Sequence, residues 1–252
     1  MRVGLLGRRI PPRARDVLFQ LALWVGFGLA YEAVRGVAGD DRAAAFADGH
    51  DLIRFERSLH TFFEPSLQHH VGHLPVLSFA VRVSYWASEF LVLFAALVWV
   101  YVRDRRCYIR FRDAVLVGNG LGLLGYLLLP TAPPRLFPAA GFLNRFSGQP
   151  SPGHSAGLIG FAANPYAAMP SIHAADALLI GLFAAAVATG RATKLLWLAW
   201  PPWVFFVVLA SGNHFWTDVA AGVVAALGGL AGAAALERLR DSGRLRALRR
   251  GP

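Results

Sequence analysis

The 252 residues contain one cysteine, Cys107, and one lysine, Lys194. A single cysteine excludes an intramolecular disulfide and a cysteine-built metal cage. Acidic residues are also few, 15 against 25 basic ones, so the formal net charge is +10. What fills the chain instead is apolar: 56% of residues are hydrophobic and the mean hydropathy is +0.46. Soluble domains are roughly 45–50% apolar, and here the excess lies in long runs. The composition therefore predicts an all-α, polytopic membrane protein. A charge of +10 would suit nucleic acid, but the arginines cluster beside apolar runs, as topology signals do. No nucleic-acid partner is expected. Abundant Ala and Gly with almost no Lys matches a high-GC bacterial genome.

Six spans are predicted, each near the length of about 20 residues that a bilayer requires. They cover 17–38, 76–102, 113–129, 171–189, 195–211 and 213–236. The first follows Arg2, Arg8, Arg9, Arg13 and Arg15 and is too long for a signal-peptide core. Residues 39–74 are polar, but Leu52, Phe55, Leu59, Phe62 and Phe63 recur at helical spacing, which predicts an interfacial helix between helices one and two. His69, His70 and His73 in that segment form HHxxH without a carboxylate at matching spacing, so a wet interfacial cluster is favoured over a metal site. Arg82 and Glu89 stand two turns apart in helix two, to pair with each other or to line a polar cavity. Pro201 and Pro202 should kink or break helix five. Residues 103–112, RDRRCYIRFR, are expected as an arginine-rich loop, and the 130–169 connection is long enough to expect a function of its own.

Basic residues concentrate at the N-terminus, in 103–112, at Arg191 and Lys194, and in a tail from Arg238 to Arg250. The positive-inside rule then places both termini in the cytoplasm of a cell-membrane protein. The organisation expected is a basic cytoplasmic N-terminus (1–16), a six-helix membrane domain (17–236) and a basic cytoplasmic tail (237–252). The starts of helices four and six and the 130–169 loop face outward.

Three motifs meet on that outer face. In Pro130-Thr131-Ala132-Pro133-Pro134-Arg135, prolines stiffen the chain around Arg135, whose forked guanidinium suits phosphate oxygens. In Met169-Pro170-Ser171-Ile172-His173, Ser171 should cap helix four, whose N-terminus favours an anion beside His173. Asp176 shares that face, either orienting His173 or sitting near the positive helix end. In Gly212-Asn213-His214, followed by Asp218, a carboxylate four residues on can fix the imidazole tautomer and leave the other nitrogen free to attack. Each motif alone has a bland reading as an interfacial arginine, a cap with an incidental histidine, or a satisfied histidine at a helix end. Together they predict phosphoryl transfer, with His214 as nucleophile, Asp218 behind it, His173 as acid and base, Arg135 and Ser171 binding phosphate, and Asp176 and Asn213 in support.

In order and topology these motifs resemble the type 2 phosphatidic acid phosphatase superfamily, whose signatures are KxxxxxxRP, PSGH and SRxxxxxHxxxD. Arg135, Pro170-Ser171-Ile172-His173, and His214 with Asp218 match them. Leu128 stands at the first lysine, Leu136 at the proline after the arginine, Ile172 at the glycine, and Val207 and Val208 at the third signature's Ser-Arg. Two cationic ligands are thus replaced, which favours a less charged phosphodiester over a phosphate monoester. The pattern is similar to the branch that includes inositol phosphorylceramide synthases, and that likeness implies headgroup transfer between lipids through a phosphohistidine. The substrate expected is a lipid phosphate or phosphodiester, the surrounding partner is the bilayer, and neither cofactor nor metal is called for. Self-association is left open. The alternatives are a lipid phosphate or polyprenyl phosphate phosphatase on the same site, and a non-catalytic transporter or structural membrane protein.

Overall fold

A computed structural model describes residues 12–37, 41–143 and 166–249, and among these described residues there are nine α-helices. Residues 1–11, 38–40, 144–165 and 250–252 lie outside the described set, and so do the side chains of Arg35, Glu89 and residues 243–249. The expectations placed on Arg2, Arg8, Arg9 and Arg250, on most of the 130–169 loop, and on an Arg82–Glu89 pair fall there. In order the helices are α1 (Pro12–Val37), α2 (Arg42–Ser58), α3 (Glu64–Gly72), α4 (Pro75–Ala87), α5 (Leu93–Arg103), α6 (Arg105–Leu128), α7 (Ile172–Val187), α8 (Arg191–Ala210) and α9 (Trp216–Arg249). A π-helical turn, Ser88–Val92, joins α4 to α5 into one rod. Among the described residues there is no β-strand, only a bridge pairing Thr131 with Ala167.

Among the described residues, three segments are long and apolar enough to cross a membrane: Arg13–Val34, Arg191–Ala210 and Trp216–Ser242. Leu93–Arg103 and Ile172–Val187 are apolar but shorter, and α6 opens with arginines. The protein is therefore all-helical and membrane-like, with three of the six expected spans meeting both criteria.

α6 packs most extensively on α9, and α7 on α8. The central layer is rich in alanine: Ala96, Ala114, Ala175, Ala184, Ala225 and Ala226 are all buried in one cluster with Phe111, Leu179 and Ile180. Small side chains let helix axes approach closely, and close backbone contact is what holds helices together where lipid removes the hydrophobic drive. Large apolar residues instead face outward, as on α1 at Phe19, Val25 and Leu29.

Several expectations are corrected. Residues 105–112 are helix, not loop. Asp104 accepts from the N–H groups of Arg106 and Cys107, at 2.8 and 3.0 Å, and starts α6 there. The single interfacial helix is two, α2 and α3. Phe55, Leu59 and Phe63 are exposed, and the buried stripe is Ala45, Gly49, Ile53 and Glu56. Pro201 and Pro202 do not break α8, which runs through them, and Pro201 is buried against Gly181 of α7, which has no side chain to oppose it. α9 does not stop at 236 but continues to Arg249.

Candidate active site

His214 lies in the tight turn between α8 and α9, where Gly212 takes a φ of +70°, a conformation open to glycine at little cost. The imidazole is buried, 4% exposed. Its Nδ1 is 2.9 Å from the Ala168 carbonyl oxygen and 3.5 Å from Asp218 Oδ2. A carbonyl can only accept, so Nδ1 carries the proton and Nε2 of the neutral ring keeps its lone pair. Asp218 is fully buried, and its Oδ2 also accepts from the Phe215 N–H at 2.8 Å. The carboxylate that stands behind the histidine thus also caps the first turn of α9.

His173 enters from the first turn of α7. Its ring centroid is 5.8 Å from that of His214. On its other side the ring stacks on Tyr85 of α4, at 4.4 Å between centroids and 22° between planes. Ser171 caps α7 as expected, accepting from the Ala174 N–H at 3.3 Å. Its own N–H donates to the Asp218 carbonyl at 2.9 Å. The two histidine-bearing helix starts are therefore bonded to each other directly. A Cβ at Gly222 would collide with the Ser171 carbonyl, so the contact requires glycine there.

Arg135 stands in a 3₁₀ turn, Pro134–Leu136, and is 8% exposed. Its N–H donates to the Gly212 carbonyl at 2.9 Å, and NH1 donates to Asn213 Oδ1 at 2.6 Å. Asn213 is in turn held by donating to Ser211 Oγ at 2.9 Å. Burial pushes the Arg135 guanidinium below its ordinary pKa, and Tyr85 acts in the opposite direction. A cation taken out of water in this way gains from an anionic ligand. Asp176 is buried and accepts from Asn119 Nδ2 of α6 at 2.7 Å, which ties α7 to α6.

The structure brings together His214, His173, Asp218, Arg135, Ser171 and Asn213, and places Asp176 one turn deeper. Tyr85 was not singled out from sequence; an aromatic in an apolar helix carries no distinguishing signal. Nor were Glu56 and Glu64, which are both fully buried. Glu56 Oε1 accepts from Thr217 Oγ1 at 2.8 Å and from the Thr217 N–H at 3.2 Å, and Glu64 Oε1 accepts from the Trp216 N–H at 2.9 Å. They hold the start of α9 from above. Burial and the neighbouring Glu64 charge push Glu56 up to about 8, and burial raises Glu64 as well. The pair therefore retains a proton near neutrality. Phe46, Phe137, Phe142 and Phe215 pack around the same corner. His69, His70 and His73 stand apart from it, and among the described residues no group of three His, Cys, Asp or Glu is arranged to hold a metal ion.

The sequence model of the PAP2 superfamily, the type 2 phosphatidic acid phosphatases, matches residues 50–232. That interval runs from α2 into α9 and contains every residue of the site. No curated protein and no solved structure matches the chain.

Proposed function

The chain belongs to the PAP2 superfamily and is thus a phosphatase or phosphotransferase enzyme, and from that premise we propose that it transfers a phosphorylated headgroup from one lipid to another through a phosphohistidine on His214. The observation that carries this reading is the geometry of His214, anchored at Nδ1 by the Ala168 carbonyl beside Asp218, with the His173 ring facing it.

In this mechanism His214 Nε2 attacks phosphorus and forms the N–P bond. The P–O bond to the leaving lipid alcohol breaks, and His173 donates a proton to that oxygen. Asp218 and the Ala168 carbonyl stabilise the charge that develops on the His214 ring. Arg135 and the N-terminal end of α7 offset the charge on the phosphoryl oxygens. In the second step His173, now a base, takes the proton of an acceptor alcohol. That oxygen attacks phosphorus, the N–P bond breaks, and His214 is restored. With a phosphate monoester lipid as donor and water as acceptor, the same steps release inorganic phosphate, which is phosphatase action.

The transferase reading draws support from Leu128 and Val208, which stand where the family signatures carry cations. A diester has one negative charge fewer to bind than a monoester, so it tolerates their loss better. Phosphoinositol is the headgroup that the motif likeness favours. We further propose six membrane crossings, by α1, the α4–α5 rod, α6, α7, α8 and α9. The arginine-rich ends of α5, α6 and α9 would lie in the cytoplasm and the site at the outer leaflet.

The test is turnover by the purified protein in lipid micelles, beside His214→Ala. Transfer of headgroup from phosphatidylinositol to a lipid alcohol, lost in the variant, supports the proposal. Free phosphate from a monoester lipid, lost in the variant, replaces it with phosphatase action. Equal turnover in both proteins overturns the role of His214.

A further inference from the structure

Arg82 is a charged residue that the mechanism above does not use. It is exposed on α4 and lines two adjoining cavities, the first of mixed lining and the second mainly apolar. The first, about 550 Å³, is lined by His69, His73, Ser78 and Leu143 together with Arg82. The second, about 580 Å³, is lined by Phe79, Val83 and Trp86 together with Arg82. Those three apolar side chains are 62%, 49% and 48% exposed. One guanidinium thus stands at the seam between a hollow of mixed lining with two imidazoles and an apolar face.

Both walls of the mixed hollow lead toward the site. Arg82 and Tyr85 are three residues apart, hence neighbours on one helix face, and Tyr85 is the residue that stacks on His173. On the other wall the Leu143 N–H donates to Gln68 Oε1 at 2.7 Å and its carbonyl accepts from Gln68 Nε2 at 2.9 Å. Gln68 Nε2 also reaches the Ser211 carbonyl at 3.4 Å, and Ser211 Oγ accepts from Asn213, the partner of Arg135.

We propose that this cleft is a docking subsite for an anionic phosphodiester lipid. Its phosphate would be held by Arg82 with His69 and His73, and an acyl chain would lie along Phe79, Val83 and Trp86. Charge complementarity selects the head, since a guanidinium and imidazole N–H groups are all donors to phosphate oxygens. The apolar face selects the tail, which distinguishes a lipid from a soluble phosphate. Arg82 then supplies, from a different helix, cationic binding that Leu128 and Val208 do not. The subsite rests on the lipid phosphotransferase reading for its purpose but makes its own prediction.

The experiment measures equilibrium binding of labelled phosphatidylinositol to the full chain in a neutral detergent, for wild type, Arg82→Gln, Arg82→Lys and His214→Ala. Soluble glycerophosphoinositol and uncharged diacylglycerol serve as competitors. Arg82→Gln removes the permanent cation of the cleft and should weaken binding by roughly tenfold, with Arg82→Lys between. His214→Ala should bind like wild type, and neither competitor should match the lipid. Unchanged binding by a folded Arg82→Gln, judged by circular dichroism and gel filtration, overturns the subsite even if turnover is normal. Glycerophosphoinositol competing as well as the lipid overturns the lipid as occupant. Loss of binding in Arg82→Gln while wild type shows no turnover keeps the subsite and removes the transferase reading instead.

Discussion

The two ends of the helix bundle handle charge in opposite ways. At the Arg105 end, charges meet their opposites. Arg105 pairs with Asp16, Arg106 and Arg110 both bond Glu237, and Asp113 is shared by Arg112 and Arg240. At the His214 end, charges are held by neutral groups. The Arg135 guanidinium is fixed by an asparagine, Asp218 by a backbone N–H, and Glu56 and Glu64 by the first N–H groups of α9. Ion pairs neutralise one another and leave nothing for a ligand. Charges fixed by neutral dipoles keep their fields, and such preorganised fields stabilise charge that develops during a reaction. The first end is built for anchoring, the second for chemistry.

Substitutions at the two ends should therefore differ in kind. The largest effect expected is at His214. Its replacement by Ala should reduce turnover on the order of a thousandfold or more, since a nucleophile has no substitute; melting temperature, measured in parallel, should move little. Next comes Asn213→Ala, which frees Arg135 without removing it. Loss of a charge-assisted hydrogen bond of about 1.5–3 kcal/mol should reduce kcat/KM by roughly 10- to 100-fold. If kcat/KM is unchanged, the asparagine is not what positions the guanidinium.

A smaller effect concerns pH. Glu56 is raised to about 8 and Glu64 is raised too. The folded protein therefore holds more protons than the unfolded chain from the ordinary carboxylate range up to that value. Its stability is full at low pH within this window and falls as pH rises through it. Thermal melting followed from about pH 5 to about pH 9 should show Tm declining. Glu64→Gln mimics the protonated partner, so it should flatten the decline and stabilise the protein above pH 8 by roughly 1 kcal/mol. An unaltered slope would remove the pair from the account. The smallest effect is expected at the opposite end. Arg106 is largely exposed, and Glu237 keeps Arg110 when it is lost. Arg106→Ala should lower stability by less than about 1 kcal/mol and leave turnover as it was.

The same contrast governs what the sequence reveals. His214 and Asp218 are legible because both lie within one turn of chain, and Ser171 and His173 because a helix start has a local signature. The long apolar runs mark the helices that form the bundle. Glu56 and Thr217 are 161 residues apart, and nothing local distinguishes a carboxylate that will be buried from its solvated neighbours. Residues 105–112 were misjudged for a related reason. Four arginines in that stretch look like a loop until Asp104 caps the chain and Asp16, Asp113 and Glu237, from α1, α6 and α9, receive the charge.

Gly222 has no functional group, yet the distance between the two histidines depends on it. Because α7 and α9 touch there through bare backbone, any side chain at that position would act as a wedge between the two histidine-bearing helix starts. A saturation-mutagenesis map scored on growth or turnover should therefore mark position 222 as sharply as 214, while a substrate-contact map leaves it blank. Selection on such a residue acts through a length rather than a chemical property, and a substitution elsewhere can rescue it only by restoring that length.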